Sequence, residues 1–218
     1  LLYRFLVKMG ARVSYYIPER QSEGYGLNLE ALEHIISDGA SLVITVDCGI
    51  SSYEIVEAIG DRIDIIIADH HTAPPQIPPA RAVINHKQPD CPYTDKNLSG
   101  VGVAFKLCQA LWLRQCGEWY LDDLDIVALG TVADVVPLVG ENRIIVQAGL
   151  KKMNELPNLG IDKLIDVAGL HDKTITAGHI GFTLAPRLNA AGRVTHATRA
   201  VELLVTDDVD LAETIAQE

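Results

Sequence analysis

The chain has 218 residues, 48% of them hydrophobic and 22% charged, which is material for one large domain or for one domain with a helical appendage. Such a composition excludes an intrinsically disordered chain. A net charge of −11, from 18 basic and 29 acidic residues, excludes sequence-blind adhesion to nucleic acid through overall charge.

If a nucleic acid is the substrate, it must therefore be met by a local basic patch, by bound cations or by further parts of the protein. Cys48, Cys91, Cys108 and Cys116 show no Cys-x-x-Cys spacing, which points to neither a zinc knuckle nor a redox pair. Thiols this sparse fit a reducing cytoplasm. No run reaches the roughly 18 consecutive apolar residues that span a bilayer, so no membrane association is expected. The chain opens Leu1-Leu2-Tyr3-Arg4-Phe5-Leu6-Val7 without an initiator Met and closes on the helix-like Leu211-Ala212-Glu213-Thr214-Ile215-Ala216. Both ends read as cut inside secondary structure, as in a piece of a longer protein.

Residues 1–9 predict a helix closed by Gly10, and Val13 to Ile17 a strand. Asn28 stands where it caps a helix with Leu29, Leu32, Ile35 and Ile36 on one face. The continuous run Leu42-Val43-Ile44-Thr45-Val46 predicts a buried parallel strand, and Ser51-Ser52-Tyr53-Glu54 reads as a capping box opening the next helix. Ile63 to Ala68 predicts a second buried strand and Ala82-Val83-Ile84 a third. Pro74, Pro75, Pro78 and Pro79 make a stiff loop before that third strand. From about Gly100 the pattern turns helical, with helices expected at 100–116, 120–134, 142–155, 161–169, 176–185 and 197–205. The expected fold class is α/β, a parallel sheet with flanking helices followed by an α-helical extension.

Two acids occupy equivalent places in this scheme. Asp47 directly follows the strand 42–46, and Asp69 directly follows 63–68, at the carboxyl ends where open parallel sheets bind ligands. Gly49 permits a tight turn from Asp47 into a helix N-terminus, a natural seat for an anion. Asp69-His70-His71 offers a carboxylate and imidazoles without thiolate, a donor set for Mn²⁺ or Mg²⁺ before Zn²⁺ or Fe²⁺. In an extended segment His70 and His71 point to opposite sides, one towards a metal and the other towards a substrate or carboxylate. Asp134 lies in the apolar run Ala128 to Leu138, where a buried carboxylate calls for a cation, unless it merely caps a helix end. In Phe182 to Arg193, Pro186 is expected to end a helix. Arg193 there offers a fork for phosphate, or else belongs to a solvated surface loop.

In this order the segments resemble a family. Val46-Asp47-Cys48-Gly49, Asp69-His70-His71 and Gly130-Thr131-Val132-Ala133-Asp134 look like the second, third and fourth motifs of DHH phosphoesterases. Four further stretches resemble the RecJ-type exonucleases among them: Gly100 to Leu107, the run on through Leu138, Asn142-Arg143 ahead of Gly149-Leu150-Lys151, and Pro186 to Arg193. The resemblance covers nearly the whole chain. It implies metal-dependent phosphodiester hydrolysis, a 5′-to-3′ exonuclease on single-stranded DNA that acts in recombination and repair in the cytoplasm. A single-stranded DNA-binding protein and a helicase are its implied partners. It implies a two-ion Mn²⁺ or Mg²⁺ site with Asp47, His70 and Asp134 as metal ligands and Asp69 supporting the cluster. His71 would contact the scissile phosphate, with Asn189, Gly192 and Arg193 in the substrate-binding signature. Residues 1–138 would be the DHH core, 139–206 the helical extension, and 207–218 the start of a connecting helix.

The family's first motif, an Asp-x-Asp pair, is expected just before residue 1, and the downstream DHHA1 and OB-type domains are expected beyond residue 218. Without that pair the 218 residues are expected to bind metal weakly and to show little nuclease activity alone. Two alternatives stand beside this reading: a DHH nanoRNase or cyclic-dinucleotide phosphodiesterase, and a non-catalytic DHH-derived binding module in a replication or repair assembly.

Overall fold

Parallel pairing joins three short strands, β1 (Leu42–Val46), β2 (Asp64–Ala68) and β3 (Ala82–Ile84), in the order β1-β2-β3. The computed structural model describes residues 1–18, 26–194 and 197–218, with the backbone alone for 191–194. Register sets Val46 beside Ala68 and Ala68 beside Ile84, so the strands end together. The edge continues one residue further, because the Asp47 amide donates to the Ala68 carbonyl and the Asp69 amide to that of Ile84.

The strands belong to one of two compact units, Pro18–Leu107. Asn28 caps α2 (Leu29–Ser37) as expected, its side chain accepting from the Ala31 amide. Leu32 from α2, Val56 and Ile59 from α3 (Tyr53–Ile59), and Ile63, Ile65 and Ile67 form the core. Two expectations are corrected here. The box at Ser51 to Glu54 is not made: Ser52 is the cap residue, and its φ of −94° and ψ of 44° depart from the extended backbone that aims a capping hydroxyl. β1 is the outer strand of the described sheet, so its run is only part-buried, with Leu42 45% and Val46 44% exposed.

The other unit comprises Leu1–Ile17 and Cys108–Glu218. It holds α1 (Leu2–Lys8), the end of α4 (Gly100–Cys116), α5 (Leu124–Ala133), α6 (Gly140–Glu155) and α7 (Leu159–Val167). It continues through α8 (Ala177–His179), a π-helical turn (Ile180–Leu184), α9 (Ala185–Val194), α10 (Ala197–Val205) and α11 (Val209–Gln217). Ile126, Leu129, Met153, Ile161, Leu164, Ile180 and Leu184 form its main core. Val13 to Ile17 is not a strand: these residues take no regular secondary structure, and the described sheet consists of β1, β2 and β3. Nor does Pro186 end a helix. The π turn just before it shifts the hydrogen-bond register, so the ring and its missing N–H are absorbed as α9 begins.

Candidate metal centre

Asp47 and Asp69 are the first residues past β1 and β2, and the same hydrogen bonds that close the strands set them side by side. Asp47 adopts φ +62°, in the left-handed region that Asp tolerates better than most residues. Behind it, the Thr45 hydroxyl donates to the Cys48 carbonyl at 2.8 Å. Gly49 turns at φ +105°, and a β-carbon there would stand 2.9 Å from that hydroxyl. The anion seat expected at this turn is taken by the chain's own carboxylate: the Ile50 amide donates to Asp69 Oδ2 at 3.0 Å.

Asp69 is 1% exposed and fully engaged. Its Oδ1 accepts from the His70 amide at 2.7 Å, the His71 amide at 3.2 Å and His71 Nδ1 at 2.7 Å. Burial alone would push this carboxyl up, but donation from Ile50, from the His71 ring and from the amides of His71 and His70 outweighs it and holds it below the usual carboxylate range. An anionic Asp69 therefore keeps the proton of His71 on Nδ1.

His70 is 7% exposed, and its Nδ1 lies 3.1 Å from the Leu98 carbonyl. A carbonyl only accepts, so Nδ1 carries a proton, and in the neutral ring Nε2 is the lone-pair nitrogen. That nitrogen lies 3.1 Å from Asp47 Oδ1. Asp47, His70 and His71 each present one ligand atom within 4.8 Å of the others.

This donor set fits a hard divalent cation. Two cis donors on an octahedral ion with bonds of ~2.1 Å stand ~3.0 Å apart, and the Asp47–His70 pair stands at 3.1 Å. A carboxylate oxygen facing an imidazole lone pair is unfavourable unless a positive charge lies between them. The local field is negative as well: burial, with the charges of Asp69 and Asp47, pushes the Cys48 thiol up to about 11.

Known proteins resemble this chain in sequence and in fold. Residues 1–131 match the model of the DHH family, N-terminal domain. The chain belongs to the DHH family. It is 44% identical over 216 residues to the single-stranded-DNA-specific exonuclease RecJ of Bacillus subtilis, covering 98% of this chain and 27% of that protein. RecJ of Thermus thermophilus is 37% identical over 220 residues, or 100% of this chain and 32% of that protein. The chain thus spans about a quarter to two-fifths of the curated relatives it matches. A crystal structure of exonuclease RecJ bound to manganese superposes with a TM-score of 0.89 at 35% identity, covering 99% of this chain and 54% of that one. The crystal structure of Thermus thermophilus RecJ in complex with Mn²⁺ gives 0.83 at 33% identity, over 99% of this chain and 31% of that one.

Of the residues singled out from the DHH resemblance, Asp47, Asp69, His70 and His71 come together in the unit Pro18–Leu107. Asp134, Asn189, Gly192 and Arg193 belong to the other unit. Asp134 is not buried in its apolar run: it is the C-cap of α5, exposed, with its amide donating to the Gly130 carbonyl at 3.0 Å. The buried acid of α5 is instead Asp125, 0% exposed, which accepts from the amides of Ile126 and Asn158. Val135, immediately after Asp134, sits at φ +59° and is 87% exposed, a strained conformation for a β-branched residue. Among the described residues, Asp47 and Val135 are the non-glycines at positive φ, the first inside one DHH motif and the second directly after another. Asn189 is exposed on α9, while the side chains of Gly192 and Arg193 lie outside the described residues.

Sequence reasoning passed over the contribution of 85–100. The Leu98 carbonyl orients His70, and Gly100 admits the Asp47 carboxylate at the first turn of α4. Asn142, 0% exposed, donates to the Pro137 carbonyl at 3.0 Å and ties down the turn after Asp134. A backbone carbonyl leaves no mark in a sequence, but Gly100 at a helix start, where glycine is a poor helix former, was a readable signal.

Proposed function

We propose that this chain is the catalytic core of a RecJ-type exonuclease that removes nucleotides from the 5′ end of single-stranded DNA using Mn²⁺ or Mg²⁺. The observation that carries the reading is the 3.1 Å approach of Asp47 Oδ1 to Nε2 of a His70 ring whose Nδ1 is already committed to the Leu98 carbonyl. Asp47, His70 and Asp134 are assigned as the ligands in this reading. Residues 1–138 form the core, 139–206 the extension presenting Pro186 to Arg193, and 207–218 the start of a connecting helix.

A bound divalent ion supplies a water of lowered pKa and positive charge for the oxygens of the scissile phosphate. The chain's own residues do the rest. Asp69 holds His71 with its proton on Nδ1, so that Nε2 can take a proton as a base and, once protonated, donate to the phosphate. His70 and Asp47 stay fixed through the Leu98 carbonyl and the sheet edge. Asn189, Gly192 and Arg193 are assigned to the DNA backbone, the bidentate fork of Arg193 suiting a phosphate. Cation and guanidinium together account for how a chain of net charge −11 meets a polyanion. Unpaired strands must be exposed for such an enzyme, which makes a single-stranded DNA-binding protein and a helicase its partners in the cytoplasm.

The test is hydrolysis by the full-length protein with Mn²⁺ of a 5′-phosphorylated single strand, its duplex, a dinucleotide and a cyclic dinucleotide. Preference for the long single strand, with mononucleotides released from the 5′ end, is expected. Preference for either short substrate would move the protein to the nanoRNase or cyclic-dinucleotide class.

A further inference from the structure

The third strand ends where the first two do. Ile84 pairs with Ala68, so Asn85 occupies on β3 the place that Asp47 holds on β1 and Asp69 on β2. Asn85 is 3% exposed. Its Nδ2 donates to the His71 carbonyl at 2.9 Å, while its Oδ1 accepts from the Lys87 amide at 2.7 Å. The segment behind it is braced. Gln88 Nε2 donates to the carbonyls of Val83 and Asn85, and Lys96 Nζ to those of His86 and Cys91.

His71 is consequently gripped at its amide and ring by Asp69 and at its carbonyl by Asn85. Both gripping side chains are buried, yet the residue they hold presents a side chain that is 49% exposed. Packing does not require the bond between Asp69 and the ring, because an exposed imidazole needs no partner to satisfy it. Buried polar groups aimed at an exposed group are what preorganisation of a reacting residue looks like.

We propose that Asn85 is a positioning residue for the phosphodiester reaction: its buried amide fixes the His71 backbone and thereby holds the His71 ring at the Asp47–His70 cluster. The inference rests on the reading that His71 works on a phosphate. Asn85→Asp separates the two halves of the side chain, because aspartate still accepts from the Lys87 amide but cannot donate to the His71 carbonyl. Asn85→Ala removes both.

The experiment uses the full-length protein, with Mn²⁺-dependent hydrolysis of a 5′-phosphorylated single strand. Both variants are expected to lose kcat by about 10- to 100-fold, well beyond any loss of folded protein read from their thermal melts, with KM within about 2-fold. In the protein labelled with ¹⁵N-histidine and loaded with Mg²⁺, the His71 ring signals are expected to move in Asn85→Asp while those of His70 stay. Wild-type kcat in Asn85→Asp, a loss matched by unfolding, or unmoved His71 signals would overturn the assignment. An inactive wild-type protein whose His71 signals do respond to Asn85→Asp would overturn the nuclease reading and leave the latch standing.

Discussion

A β-carbon on Gly100 would lie 2.2 Å from Asp47 Oδ1 and 2.5 Å from its Cγ, so the carboxylate occupies the space that every other residue type needs. Asp47 reaches that place through a positive φ at the end of β1, and Gly100 receives it at the start of α4. The carboxylate also sits against the positive end of a helix dipole. Gly100→Ala must therefore displace Asp47, although alanine is the better helix former. The expected outcome is a fall of about 100-fold in Mn²⁺-dependent hydrolysis, typical of misplacing a reacting group by about 1 Å. Far-ultraviolet circular dichroism should be unchanged. Full activity in that variant would show that Asp47 is not held where the reaction needs it.

Asp69→Asn keeps the shape of a side chain that accepts hydrogen bonds on both oxygens. An amide turns one of those acceptors into a donor, facing either the Ile50 amide or the His71 ring. Losing bonds to a buried charge costs about 2 kcal/mol, read by urea unfolding. His71 also loses the anion that fixes its tautomer, so kcat should fall by more than the folded fraction does, by about 10- to 100-fold. Equal losses of stability and activity would reduce Asp69 to a scaffold residue.

The strand-end acids were legible because a continuous apolar run followed by Asp leaves few other readings, and β1 and β3 fall where the sequence places them. Helices 100–116 and 197–205 were equally plain. The details that failed turn on backbone geometry that the side-chain pattern does not carry. Asp134 reads as buried because its neighbours are apolar, but α5 ends one residue earlier and turns it out. Pro186 reads as a stop because the register shift of the π turn before it has no sequence signature. The orientation of His70 hangs on the carbonyl of Leu98, an atom that every residue possesses.

In the helical unit, small residues let helices touch. A β-carbon on Gly149 would stand 2.2 Å from the Leu124 carbonyl oxygen and 2.4 Å from Ala128 Cβ, so α6 meets α5 backbone to side chain. Gly149→Ala is predicted to destabilise by at least about 2 kcal/mol, because those neighbours are backbone and a short side chain that cannot swing away. Denaturant unfolding measures it, and activity per folded molecule should remain at the wild-type level. A variant as stable as the wild type would mean that the helices separate at no cost.

The clearest separation of stability from function is predicted at Asp47 itself. With the His70 ring neutral, the Asp47 oxygen faces a nitrogen lone pair at 3.1 Å, an arrangement that is repulsive without a cation. Asparagine tolerates the same positive φ and would donate a hydrogen bond to that nitrogen. In metal-free buffer Asp47→Asn should therefore be the more stable protein, by about 0.5 kcal/mol, the low end for a hydrogen bond at a half-exposed position. Saturating Mn²⁺ should reverse the order, since an ion at about 100 times its Kd stabilises the wild type by about 2.7 kcal/mol and the variant by much less. Paired thermal melts with EDTA and with Mn²⁺ read both halves at once. If wild type and variant respond equally to Mn²⁺, Asp47 is not a ligand, and the 3.1 Å pair with His70 must be an ordinary ion pair carried by a protonated ring.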